Sequence, residues 1–131
     1  MMTTRTLVDT PLATIQRSGT DLVEVRFKPG CVLNAAGIAA ILEARQGVAV
    51  EGPLLVLIVF PQDNVDFEMQ MITTDHYDQR PVKQHSRAVA WVTRNAHNER
   101  FTQLYFAYYP SPVTSAIFAE EEEARAWLAT K

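Results

Sequence analysis

Gly52-Pro53-Leu54-Leu55-Val56-Leu57-Ile58-Val59-Phe60-Pro61 carries an unbroken apolar run from Leu54 to Phe60 with a proline on each side. A strand with one face in water alternates apolar and polar side chains, whereas an unbroken apolar run of strand length is the pattern of a central strand covered on both faces. Helices flanking a sheet supply such cover, so the run points to the α/β class. It is far shorter than the roughly 20 apolar residues that a membrane-spanning helix needs, and no membrane insertion is expected.

Upstream of this run, Asn34 is placed to cap a helix in which Ile38, Ile41 and Leu42 recur at helical spacing, and Gly47 stands where a helix often stops. Pro29-Gly30 ends a preceding strand in which Val23, Val25 and Phe27 alternate with Glu24, Arg26 and Lys28, the pattern of a half-exposed strand. Ser18-Gly19-Thr20-Asp21 is a turn signal, and Thr6 to Gln16 before it reads as the partner strand of a hairpin. Pro11 either confines that first run to a sheet edge or breaks it in two.

Downstream, Gln62-Asp63-Asn64 is a turn, and Phe67, Met69 and Met71 fit one face of a short strand or part of a helix. A helix is expected over Thr73 to Ser86, against the presence of Pro81 within it. Ala88 to Val92 reads as a buried strand. Asn95 caps the next helix, with Phe101, Leu104, Tyr105 and Tyr108 along its core side, and Pro110 and Pro112 forbid its continuation. Val113 to Phe118 is a last strand. Glu120 to Glu123 then open a helix whose dipole favours acids in its first turn, and Ala124, Trp127 and Leu128 form its buried stripe. The element order is ββαβ(α)βαβα.

No repeat or linker divides the chain, so residues 1–131 are read as one domain. An apolar share of 47% and a charged share of 21% are those of a globular protein. Twelve Lys and Arg against fifteen Asp and Glu leave a net charge of -3, which offers no attractive field to a phosphate backbone, so no nucleic-acid partner is expected. The lone Cys31 has no partner for a disulfide, and Met1 to Thr10 lack the apolar core of a secretory signal. A cytoplasmic location is the expectation.

The residue types that carry chemistry do not assemble into a recognisable site. His76, His85 and His97 with Asp75 and Asp78 show no compact zinc-ligand spacing and read as exposed helix and loop residues. Asp75-His76 with Thr73, Thr74 or Ser86 lacks a nucleophile elbow, and neighbours on a helix do not face one another. Cys31, just before a helix, is either a thiol acidified by the dipole or a small, partly buried residue. Gly30, Gly37, Gly47 and Gly52 are too scattered for a phosphate loop. The reading is therefore no catalytic residue, no cofactor and no metal. The densest feature is aromatic: Phe106 and Tyr109 fall off the core side of their helix, and with Pro110 and Pro112 they form a candidate interface.

Phe118-Ala119-Glu120-Glu121-Glu122-Glu123-Ala124-Arg125-Ala126-Trp127-Leu128 is similar to the closing pattern of the SpoIIAA-like proteins of the STAS and CRAL-TRIO α/β superfold. Phe27-Lys28-Pro29-Gly30 and Arg87-Ala88-Val89-Ala90 resemble the same group, and the likeness runs nearly the full length. The resemblance implies a mixed sheet of about five strands flanked by helices, and a protein-interaction or ligand-sensing role. One branch of that group carries a phosphorylated Ser just after the central strand. Here Pro61-Gln62-Asp63-Asn64-Val65-Asp66 follow, and no Ser or Thr appears until Thr73, so that switch does not carry over. The expected function is a non-enzymatic interaction module that forms a homodimer or binds another protein. A carrier or sensor of a small apolar ligand is the alternative, and a hydrolase a remote third.

Overall fold

The computed structural model describes residues 7–49 and 52–131; Thr6 and most of the N-terminal segment weighed as a signal lie outside the described residues. The main sheet is built from β1 (Leu7–Asp9), β2 (Ala13–Ser18), β3 (Leu22–Phe27), β5 (Leu54–Val59), β7 (Ser86–Val92) and β8 (Thr114–Phe118). They lie in that order across the sheet. The pairs β1·β2 and β2·β3 are antiparallel, and β3·β5, β5·β7 and β7·β8 are parallel. A short parallel ladder of β4 (Val32–Leu33) with β6 (Asp66–Phe67) stands apart from it. Six strands in the main sheet, against the five expected, follow from Pro11: the first run is broken at the proline and folds back on itself as β1 and β2.

The register sorts every side chain to one of two faces. Ile15, Val25, Ile58 and Trp91 are cross-strand neighbours on one face, as are Ala13 and Phe27, and Val23, Val56 and Val89. Ile41 of α1 (Ala35–Val48) and Phe101 of α4 (Ala96–Tyr108) close over this face and complete the larger core. On the opposite face Leu55, Leu57, Val59, Ala88, Ala90 and Val92 meet Ala124 and Leu128 of α5 (Glu121–Leu128). All six residues of β5 are buried, because β5 is the strand with helices on both sides. The crossovers through α1 and α4 step the same way along the sheet, which the handedness of such connections turns into helices on one face; α5 returns over the other.

Asn34 and Asn95 cap α1 and α4 through their side chains, accepting from the amides of Gly37 and Asn98 at 2.7 and 2.8 Å. Phe67 lies in β6, while Met69 and Met71 lie in the short helix α2 (Met69–Thr73). The helix expected over Thr73 to Ser86 is absent. Thr74 is extended, Asp75 to Arg80 run through successive turns, and only α3 (Val82–His85) is helical, beginning directly after Pro81. Proline has no N–H to donate and drives the residue before it away from the helical region, so a helix can start at this point but cannot pass through it.

The aromatic side of α4 is also rotated from the expectation. Asn98, Phe101, Thr102 and Tyr105 are the buried residues, while Leu104 and Tyr108, expected in the core, are exposed. Phe106 and Tyr109 continue the inward stripe and are half-buried, which corrects their reading as an outward pair; Pro110 and Pro112 are exposed.

Candidate functional site

Between the larger sheet face and the helices lies a cavity of about 50 Å³. Its aromatic wall is continuous. Phe27 and Phe60 have ring centroids 5.1 Å apart, Phe60 and Trp91 6.1 Å, and Trp91 and Phe106 5.3 Å, with Phe106 edge-on to Tyr105 at 5.2 Å. Ile38, Ile41 and Leu42 of α1 face them across the space. The α1 and α4 stripes therefore converge on one volume that their side chains do not fill.

The connection from α2 to α3 closes one end. His76 stacks on Tyr105 with centroids 5.4 Å apart, and the Tyr105 hydroxyl accepts from the His76 amide at 2.9 Å and donates to the Thr74 carbonyl at 3.0 Å. The His76 ring bonds the Met71 carbonyl through Nε2 at 2.9 Å, which makes Nε2 the protonated nitrogen. Burial pushes the His76 pKa down and holds the Tyr105 hydroxyl up at about 12, so both are neutral at neutral pH.

One cation enters this apolar setting. Arg45, in the last turn of α1, lines the cavity and is only 2% exposed. Its NH2 group donates to Ser86 Oγ at 2.8 Å, and its NH1 group reaches the Tyr77 hydroxyl at 3.4 Å with Cζ 5.8 Å from the Tyr77 ring centroid. No carboxylate among the described residues pairs with it, and its Nε–H has no acceptor. Trp91 Nε1, on the same cavity wall, is also without an acceptor.

His85 and Ser86 continue the chain from Arg45. Because Ser86 Oγ accepts from the guanidinium, its proton is free to go to His85 Nδ1, 2.9 Å away. Burial first, then the charges of Arg45 and Arg80, push the His85 pKa down to about 4. This Ser-His pair is not an activated nucleophile: both residues are buried, and a base that weak, beside a guanidinium, does not draw the hydroxyl proton. His76 and His85 are thus interior residues, correcting the expectation that they lie on the surface, and His97 bonds the Val65 carbonyl at 2.9 Å. Among the described residues no three His, Cys, Asp or Glu side chains converge as metal ligands. Burial raises the Cys31 thiol pKa, against the dipole-acidified reading.

A more open groove lies at the carboxyl ends of β3 and β5, bordered by Arg26 and Arg94. Both guanidiniums are engaged by Glu121, at 2.8 and 3.8 Å, so the groove has little free charge. Neither the cavity nor Arg45 is evident from the sequence, because the apolar residues that line it look like ordinary core and a lone Arg in a helix looks like surface. The one available signal is Arg45 lying four residues after Ile41, on the buried side of α1.

No family model matches the chain, and no curated protein matches it. Among solved structures it is similar to an uncharacterised DUF3478-family protein with a SpoIIAA-like fold from Shewanella loihica PV-4. The two share 13% sequence identity and a TM-score of 0.57 over 98% of each chain. The SpoIIAA-like part of the resemblance therefore stands, as a statement about fold.

Proposed function

We propose that the chain is a non-enzymatic binding module that takes a small apolar molecule into the cavity between α1, α4 and the sheet. The observation behind this is the unfilled space itself: interiors are normally packed to the density of organic crystals, yet here a continuous aromatic wall faces a void. The space is about a third of the roughly 150 Å³ apolar cavity that accepts benzene, so its occupant is small. Met71 on the wall is the side chain best suited to shift for a larger one. Xenon is the appropriate probe, because it reports apolar space without polar recognition. Saturable shifts of the Ile41, Leu42 and Ile58 methyl signals under xenon pressure are expected, and their absence would overturn the proposal.

A second reading, association of two copies, draws support from the exposed outer side of α4, where Leu104 and Tyr108 are one turn apart. The apolar pair there differs from the Phe106 and Tyr109 pair expected from sequence, since Phe106 lines the cavity.

A further inference from the structure

Arg45 sets a requirement on whatever fills the cavity. A buried charge is tolerated when it is paired, because the desolvation of an isolated ion is far larger than any single hydrogen bond returns. Arg45 is buried, hydrogen-bonded only to the neutral Ser86 and Tyr77, and without a carboxylate partner among the described residues. His76 is the other titratable nitrogen on the cavity wall and burial keeps it neutral, so it neither competes for an anion nor supplies one.

A guanidinium has five N–H donors, and the contacts to Ser86 and Tyr77 use only two of them. Nε–H remains free, together with further hydrogens on the terminal nitrogens. That is the side-on pair of donors a carboxylate accepts through both oxygens. The rest of the wall is hydrocarbon and ring, which suits a short alkyl body and not a second charge.

We propose that the cavity is a site for a small monocarboxylate, its carboxylate on Arg45 and its hydrocarbon part against Phe60, Trp91 and Phe106. This rests on the reading of the cavity as a ligand site, and it adds the class of ligand. Water inside the cavity would satisfy the free N–H but would leave the charge uncompensated, so an anion is the better complement.

Acetate and its neutral isostere acetamide test the assignment, titrated at constant ionic strength against the amide spectrum of the full chain and followed by the indole signal of Trp91. Acetate should bind about tenfold or more tightly than acetamide, the scale on which hydrogen bonds to a charged group discriminate. Arg45→Met, which keeps the aliphatic stem, should abolish the preference; Arg45→Lys should keep the charge and weaken it, because an ammonium cannot offer the paired donors. Equal binding of the two probes to the wild-type chain overturns the assignment without needing either variant to fold. So does a preference that survives in folded Arg45→Met. If xenon enters and acetate does not bind, the carboxylate assignment fails while the apolar site stands. If xenon is excluded as well, both readings fail.

Discussion

Burial pushes the pKa values of His76 and, further, of His85 down, and the larger contribution to the pH dependence of stability is that of His85. Its pKa is about 4 in the folded chain and about 6.5 when exposed, so between those values the unfolded chain holds more protons. Stability therefore rises with pH across this window: the contribution is complete above about 6.5 and is lost as pH falls toward 4. At about 1.4 kcal/mol per tenfold, the difference amounts to about 3 to 4 kcal/mol at most. Urea unfolding at pH 7 and pH 5 should show the loss, and His85→Gln should reduce it. A slope unchanged in that variant would assign the effect to another group. Glu121 acts in a separate, lower window. The Arg26 guanidinium, with Arg125 beyond it, holds its carboxyl down at about 2, so its contribution is present above about 4.5 and disappears as pH falls toward 2. This residue was legible in sequence only as an acid at a helix start. Its bonds to Arg26 on β3 arise from α5 packing across the sheet, a pairing separated by most of the chain that no local pattern announces.

The helices show where local patterns suffice and where packing overrules them. Both asparagine caps were readable because capping is a contact within one turn. The core side of α4 was not, because two polar residues hold inward positions. Asn98 accepts from the Val65 amide at 3.0 Å and donates to the Thr93 carbonyl at 3.0 Å, fastening the 61–65 loop to the helix; Thr102 is buried one turn later. A search for apolar periodicity passes over both and rotates the helix toward Leu104 and Tyr108. Helix α1 supplies a paired prediction. A methyl group at Gly37 would overlap the buried Leu12 side chain, so Gly37→Ala should destabilise by about 1 to 3 kcal/mol despite the better helix propensity of Ala. Gly47, in the same helix, has nothing within 4 Å of the added carbon, and Gly47→Ala should stabilise by about 0.5 to 1 kcal/mol. Opposite signs in chemical unfolding check the packing of α1 on the turn before β2. Trp127 on α5 is half-buried against Phe118, with centroids 5.7 Å apart, so its replacement by Ala should cost less than the roughly 3 to 5 kcal/mol of a fully buried aromatic.

At the scale of the whole molecule, the β5 run alone was enough to announce a covered central strand, since covering both faces leaves no polar position in it. The cavity was not legible, because a void is a property of how α1, α4 and the 74–81 connection meet. The remaining whole-molecule property is association. Accessible area is 7027 Å², close to the roughly 6,900 Å² that a compact monomer of this mass exposes, so the fold closes without a second copy. A stable interface takes about 800 Å² from each partner, more than two side chains supply. Tyr108, 72% exposed, and Leu104, 47% exposed, would form its centre. An apolar face of this size supports a concentration-dependent dimer and not an obligate one. Light scattering coupled to size exclusion should show a mass rising from one chain toward two as concentration increases. Leu104→Glu with Tyr108→Glu should hold the mass at one chain without loss of fold, since both side chains are already in solvent. Phe106→Glu is not an equivalent test: it would place a carboxylate in the cavity wall, and any loss of dimer could follow from loss of structure. A single-chain mass at every concentration would overturn association through α4, and a dimer that persists in the double variant would place the interface on another face.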